Sequence, residues 1–190
     1  MSILKANNIQ NIGGTSHFTK PGMVIETLSS VCDGSSRTVQ SGTYTFQNVT
    51  TQQGTSTTYT DITGSSMSYT PPAGTTQVKY SFQFSTYWIS AHAINNYKFF
   101  VDGTEVLWAR HSRSSQYNED RYSFEWVINI GGTGSTNTGR QATWNTSKVL
   151  KMQVRHYGGS NYNNLHGTHY WDGGDANYFS MPVLTIEAIA

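Results

Sequence analysis

The segment Tyr97-Lys98-Phe99-Phe100-Val101-Asp102-Gly103-Thr104-Glu105-Val106-Leu107-Trp108 constrains the fold more than any other. Asp-Gly accepts the two positive φ angles that a two-residue type I′ turn demands, and both flanks are rich in strand-forming residues. The segment therefore predicts a β-hairpin. Tyr87, Tyr97, Phe99, Phe100 and Trp108 lie in or near it and are expected to need burial, so the hairpin belongs inside a larger β domain. Neighbouring segments agree. Val78, Tyr80, Phe82 and Phe84 alternate with Lys79, Ser81, Gln83 and Ser85. Tyr122, Phe124, Trp126, Ile128 and Ile130 alternate with Ser123, Glu125, Val127 and Asn129, and Leu150, Met152, Val154 and His156 repeat the pattern. Period-two alternation marks strands buried on one face.

Further strands are expected over residues 23–28, 39–49, 59–62, 67–69, 140–144 and 178–189. Pro71-Pro72 closes one of them, because proline cannot donate to a ladder. Pro182 points to an edge or a bulge near the start of the last. No helical stretch is expected. Roughly eight to ten strands with turns at this spacing suit an antiparallel sandwich or barrel.

The chain has 190 residues, room for one all-β domain with its own core. Charged residues make up 12%, against about 25% in typical soluble domains. With a formal net charge of +1, no broad attraction to nucleic acid or acidic membranes is expected. A surface this neutral suits either burial against other copies or an ordinary uncharged β domain. The single cysteine, Cys32, leaves no intrachain disulfide and no cysteine-based zinc site, and fits folding in a reducing cytoplasm. The first ten residues lack the apolar stretch of a signal peptide, and no run is long enough to span a membrane. The expectation is a soluble chain, not exported by a signal peptide.

Two regions carry the candidate contacts. Residues 1–22 set Ile3, Leu4, Ile9 and Ile12 among polar amides and reach Gly13-Gly14. Asn and Gly are poor helix formers, so this is read as an extended attachment arm that buries those four side chains against a neighbour. The alternative is a frayed terminus. Residues 23–190 form the domain. Within it, Tyr157, Tyr162, His166, His169, Tyr170 and Trp171 combine flat aromatic faces with nearby Asn and Asp acceptors. That mixture suits sugar rings or a protein partner, or else caps one end of the sandwich. His166 and His169 with Asp172 and Asp175 do not have zinc-signature spacing, and neither a metal nor a cofactor is expected. No Gly-x-Ser-x-Gly pattern or evident carboxylate pair supports catalysis. His92 and His156 are read as packing residues. Arg110-His111-Ser112-Arg113 is a small basic patch offset by Glu119-Asp120.

Three stretches together resemble virion structural proteins of marine bacteriophages. Lys5-Ala6-Asn7-Asn8-Ile9-Gln10-Asn11-Ile12-Gly13-Gly14 resembles their opening Asn-x-Ile-Gln-Asn pattern. Thr58-Tyr59-Thr60-Asp61-Ile62 followed by Met67-Ser68-Tyr69-Thr70-Pro71 resembles a recurrent T-x-x-x-D-T-G … I-T-P stretch. Phe99-Phe100-Val101-Asp102-Gly103-Thr104-Glu105-Val106 resembles their central R-D-G-T-x-I hairpin, with Val101 where arginine is common. The resemblance implies a tail-fibre, head-fibre or decoration protein, located in the virion and made in the host cytoplasm. It implies a jelly-roll-like antiparallel β-sandwich with a short extended N-terminal arm. A homotrimer, other virion proteins and a host-surface glycan would be its partners. Two other readings stay open: a carbohydrate-binding β-sandwich module and a glycan-degrading enzyme.

Overall fold

The computed structural model of the chain describes residues 20–87, 93–115, 119–158, 163–169 and 178–190. The attachment-arm residues Ile3, Leu4, Ile9 and Ile12, together with His92, lie outside the described residues.

Eight strands carry the fold. They are β1 (Val24–Val31), β2 (Met67–Tyr69), β3 (Gln77–Tyr87), β4 (Ala93–Val101), β5 (His111–Ser115), β6 (Asp120–Asn129), β7 (Lys148–His156) and β8 (Val183–Ile189). One sheet has the order β1-β8-β3-β6 and the other β2-β7-β4-β5, with every neighbour antiparallel. The first strand thus pairs with the eighth, the eighth with the third and the third with the sixth. The second pairs with the seventh, the seventh with the fourth and the fourth with the fifth. This is the double Greek-key order of a jelly roll, so the all-β antiparallel sandwich expected from the sequence is the observed fold. Short strands extend both sheets. Thr60–Asp61 continues the β2 edge along β7, and Asn164–Leu165 continues the β8 column along β3 with Gln53–Gly54 beyond it.

The alternating residues make the core. Val78, Tyr80, Phe82 and Phe84 of β3 are at most 1% exposed, and Leu150, Met152 and Val154 of β7 are fully buried. Leu184, Ile186 and Ala188 of β8 join them, as does Ile128 of β6. Each large apolar side chain buried this way contributes about 1.5–3 kcal/mol. Cys32 is buried too. Its thiol donates to the Gly64 carbonyl at 3.4 Å, and burial, helped by Asp33, pushes its pKa up to about 12, which makes it an unreactive packing residue.

The Asp102-Gly103 turn forms as read. Phe100 pairs with Glu105 and Val101 with Thr104, and φ is 51° at Asp102 and 77° at Gly103. Several details differ from expectation. Trp108 does not extend the hairpin. Its backbone turns into a single 3-10 turn, Leu107–Ala109, and its side chain is 66% exposed. The turn is held by the Gly-rich loop, since Leu107 and Trp108 donate their amides to the carbonyls of Thr136 and Asn137. Residues 39–49 are not one strand. They contribute to a separate hairpin, Ser36–Val39 with Gly42–Thr45, because the chain reverses at Gln40-Ser41. The first strand runs past Leu28 to Val31. Residues 140–144 make only isolated bridges, Ser135 with Arg140 and Ile130 with Gln141. Pro182 marks neither an edge nor a bulge. It precedes β8, which is interior to its sheet, and its carbonyl accepts the Cys32 amide at 3.0 Å.

The register sorts the loops by end. Val24, Ile189, Gln77, Asn129, Val101 and Lys148 lie at one end of the sandwich, called here the hairpin end. Val31, Tyr87, Ala93, Ser115, Asp120 and His156 lie at the other, the loop end. The chain enters β1 at the hairpin end. The late segment after His156 leaves from the loop end.

Candidate functional site

The loop end gathers most of the chemistry that the sequence singled out. Strand β7 places His156 inward, 7% exposed, with Nδ1 3.1 Å from the Thr55 hydroxyl. The next residue, Tyr157, points outward and is 69% exposed. Among the described candidate contact residues it is the one on the surface.

His166 is a correction. It was expected on a contact surface, yet its side chain is fully buried. It meets Phe82 and Phe84 edge-on, with ring centroids 6.5 and 5.9 Å away. Two backbone bonds fix the position: His166 N–H to the Ser85 carbonyl at 2.7 Å and Ser180 N–H to the His166 carbonyl at 2.9 Å. Its φ of 62° turns the chain there. Neither ring nitrogen has a hydrogen-bond partner among the described residues. Burial lowers its pKa to about 4, with the Thr63 backbone pulling weakly the other way.

His169 is also buried, at 5% exposure, and stacks on Tyr87 with centroids 5.8 Å apart and planes 7° from parallel. Its backbone amide donates to the Glu119 carboxylate. The Tyr87 hydroxyl donates to Gln52 Oε1 at 2.5 Å and accepts from Asn164 Nδ2 at 3.0 Å. Close packing here needs a residue without a Cβ: an added Cβ at Gly167 would lie 2.6 Å from the Tyr87 ring. The two histidines thus plug the sandwich end. Tyr162, Tyr170 and Trp171 lie outside the described residues.

A second ring cluster closes the same end from the β5 side. Tyr97, His111 and Tyr122 lie nearly parallel, with centroids 5.0–5.4 Å apart. His111 Nδ1 lies 3.1 Å from the Ala109 carbonyl, so that nitrogen carries the proton and Nε2 accepts the Tyr122 hydroxyl. Burial lowers the His111 pKa, and Arg113 adds to the shift. Arg113 pairs with Asp120 and lies over the Tyr122 ring. The basic patch at 110–113 is thereby neutralised, with Arg110 paired to Glu105.

Sequence reasoning missed Tyr178 and Phe179. They were read into the last strand, but they form a two-residue strand of their own against Gly167–Thr168 and are 45% and 39% exposed. Pro182 was the available signal, since it separates them from β8. With Tyr157 they give the loop end three exposed aromatic faces among the described residues. Such faces bind by stacking and burial. Among the described residues no group of three His, Cys, Asp or Glu side chains is placed to hold a metal ion, and no helix is long and apolar enough to cross a membrane.

No protein-family model matches the chain, and no curated protein matches it in sequence. Matches among solved structures include a chain from the Gx strain of infectious bursal disease virus, with 13% identity and a TM-score of 0.34. That match covers 86% of this chain and 36% of the other. A chain from the Gt strain matches at 11% identity and a TM-score of 0.34, covering 98% of this chain and 41% of the other. The chain therefore spans well under half the length of these two structures, and at such identity and superposition the likeness assigns no function.

Proposed function

We propose that this chain is a non-catalytic structural component of a virus particle, a fibre or capsid-decoration subunit of bacteriophage type that assembles as a homotrimer. Residues 1–22 dock it on other virion proteins, and the loop end faces the medium or the host surface. The observation that carries this reading is the character of the outer sheet faces. Their polar side chains bond to one another: Ser29 to Thr185 at 2.7 Å, Ser68 to Ser147 at 2.6 Å and Ser112 to Asn96 at 2.9 Å. On the β1-β8-β3-β6 sheet Lys79 is shared by Glu125 and Glu187 at 3.3 and 3.7 Å, and on the other sheet Lys151 pairs with Asp61 at 2.9 Å. Faces of this kind leave few unpaired charges to desolvate when copies pack together. The jelly roll is a scaffold of viral capsid and lectin domains, though a fold alone does not fix function. The ends also support the reading, because the root of the arm and the late segment lie at opposite ends of the sandwich. Several weakly attached copies then hold a surface through avidity.

Light scattering on the full chain after size exclusion tests this. A trimer is expected, and a monomer overturns the proposal. Deleting residues 1–22 should leave the trimer intact and abolish attachment to the particle.

A second reading, a carbohydrate-binding module, is favoured by the exposed Tyr157, Tyr178 and Phe179. It predicts sugar binding by a monomer, with loss on Tyr157→Ala.

A further inference from the structure

The hairpin end holds a pocket of about 300 Å³ between the Asp102-Gly103 turn, the Gly-rich loop and the start of β7. Its polar lining includes Asp102, Ser135, Thr136, Arg140, Gln141 and Lys148. One wall depends on Gly139, whose φ is +75° and whose added Cβ would lie 2.9 Å from Val106 Cγ2. The loop therefore packs directly onto Val106, and the indole Nε1 of Trp126 ties it down by donating to the Thr138 carbonyl at 2.9 Å. The Trp108 amide also fastens the loop, donating to the Asn137 carbonyl at 2.9 Å.

The charges of this pocket are not paired evenly. Glu105 is already engaged: Lys98 lies 3.0 Å away, Arg110 donates to its other oxygen, and the two hold its carboxyl below the usual range. Lys148 has Asp102 at 3.7 Å. The Arg140 guanidinium touches only the Gly131 carbonyl, at 3.4 Å, and has no carboxylate partner among the described residues. The lining itself holds two cations, Arg140 and Lys148, and two carboxylates, Asp102 and Glu105. With Glu105 drawn to Lys98 and Arg110 outside the lining and Asp102 facing Lys148, Arg140 is the lining cation left without a carboxylate partner among the described residues.

We propose that this pocket binds a carboxylated sugar of monosaccharide size, such as a uronic acid residue. The volume is at the lower end of the range for small-molecule sites. A guanidinium fork matches a carboxylate in two parallel hydrogen bonds. The hydroxyls of Ser135 and Thr136 and the amide of Gln141 both donate and accept, and Asp102 accepts, as ring hydroxyls require. A bare phosphate would face Asp102 without using it. This site lies at the opposite end from the aromatic loop surface, and it stands whether or not the chain belongs to a virion.

Calorimetry on the full chain, with indole fluorescence in parallel, would test it using galacturonic acid, galactose and inorganic phosphate as probes. Saturable millimolar binding of galacturonic acid is expected, with galactose weaker by about tenfold or more and phosphate not binding measurably. Arg140→Gln should weaken galacturonic acid by about tenfold without moving the thermal midpoint, because the side chain is exposed. No saturable heat, equal binding of galactose, equal binding of phosphate, or an Arg140→Gln variant that binds as well as the parent would each overturn the proposal.

Discussion

The two ends of the sandwich are closed by different means. At the hairpin end the chain turns on backbone chemistry, through Asp102-Gly103 and the glycines of the following loop, and its buried polar groups are paired. The Glu26 carboxylate, 5% exposed, accepts the Ser41 amide, the Ser41 hydroxyl and the Tyr69 hydroxyl, each at 2.7 Å. Trp144 Nε1 donates to the Tyr69 carbonyl at 3.1 Å. At the loop end, rings and imidazoles pack across the opening, and satisfaction is incomplete. Asn95 Oδ1, Asn163 Oδ1, Arg155 Nε and both ring nitrogens of His166 are buried without a hydrogen-bond partner among the described residues. An unsatisfied buried polar group costs about 1–3 kcal/mol. The hairpin end is built for stability, whereas the loop end gives up some of it for a particular arrangement of side chains.

The strongest way to break this contrast is to empty the ring cluster. Phe84 touches Phe82, Tyr97, Tyr122 and His166, with centroids 5.1–6.1 Å away. Phe84→Ala should cost about 3–5 kcal/mol, the usual range for a buried aromatic, as read from urea unfolding. A loss below about 1 kcal/mol would mean that the loop end closes without its rings.

Acid should expose the loop end next. The folded pKa of His166, about 4, lies below the ordinary value of 6.5. Between those values the unfolded chain binds the extra proton, so stability is complete above pH 6.5 and falls as the pH drops towards 4. The full loss is about 3 kcal/mol. His111 is shifted in the same direction and adds to it. Unfolding free energies measured from pH 7 to pH 4 should show this slope. His166→Asn, a residue that tolerates positive φ, should flatten it. An unchanged slope in that variant would remove His166 from the account.

The same contrast explains what could be read in the sequence. The turn at Asp102-Gly103 and the alternation in β3, β6 and β7 are local signals, carried by neighbours in the chain. They gave the β architecture and the inward faces. The strand order is non-local, and here the three-part resemblance supplied the jelly roll where periodicity alone left sandwich and barrel open. His166 and His169 were misplaced because burial depends on partners far away in sequence, Phe82, Phe84 and Tyr87. A Gly-rich stretch with polar rings looks like a surface loop until something packs on it. Trp108 failed the other way: it followed an apolar run, but the 3-10 turn carried it out to solvent. The pocket at Arg140 and Lys148 was invisible for the same reason, since the turn, the loop and β7 meet only in the fold.

A smaller effect isolates the backbone contribution at the hairpin end. An added Cβ at Gly103 would meet nothing within 4 Å, so a substitution there tests conformation alone. Gly103→Val forces a β-branched residue to φ 77° and should cost about 1–2 kcal/mol. Gly103→Asn should cost less, because Asn enters the left-handed region more readily. Equal costs for the two variants would mean that the turn is not held by its φ angles.

The smallest expected change falls, among the described residues, on the most exposed aromatics of each end, Trp108 at 66% and Tyr157 at 69%. Neither side chain is part of the core, so Trp108→Ala and Tyr157→Ala should each shift stability by no more than about 0.5 kcal/mol. Ligand binding should separate the pair. If the loop end is a contact surface, Tyr157→Ala weakens binding there and leaves a carboxylated sugar at the Arg140 pocket untouched, whereas Trp108→Ala, outside the pocket lining, leaves both unchanged. A Trp108→Ala variant destabilised by more than about 1 kcal/mol would instead show that its indole braces the Gly-rich loop. The hairpin end would then owe its closure to side-chain packing as well, and the difference between the two ends would be one of degree.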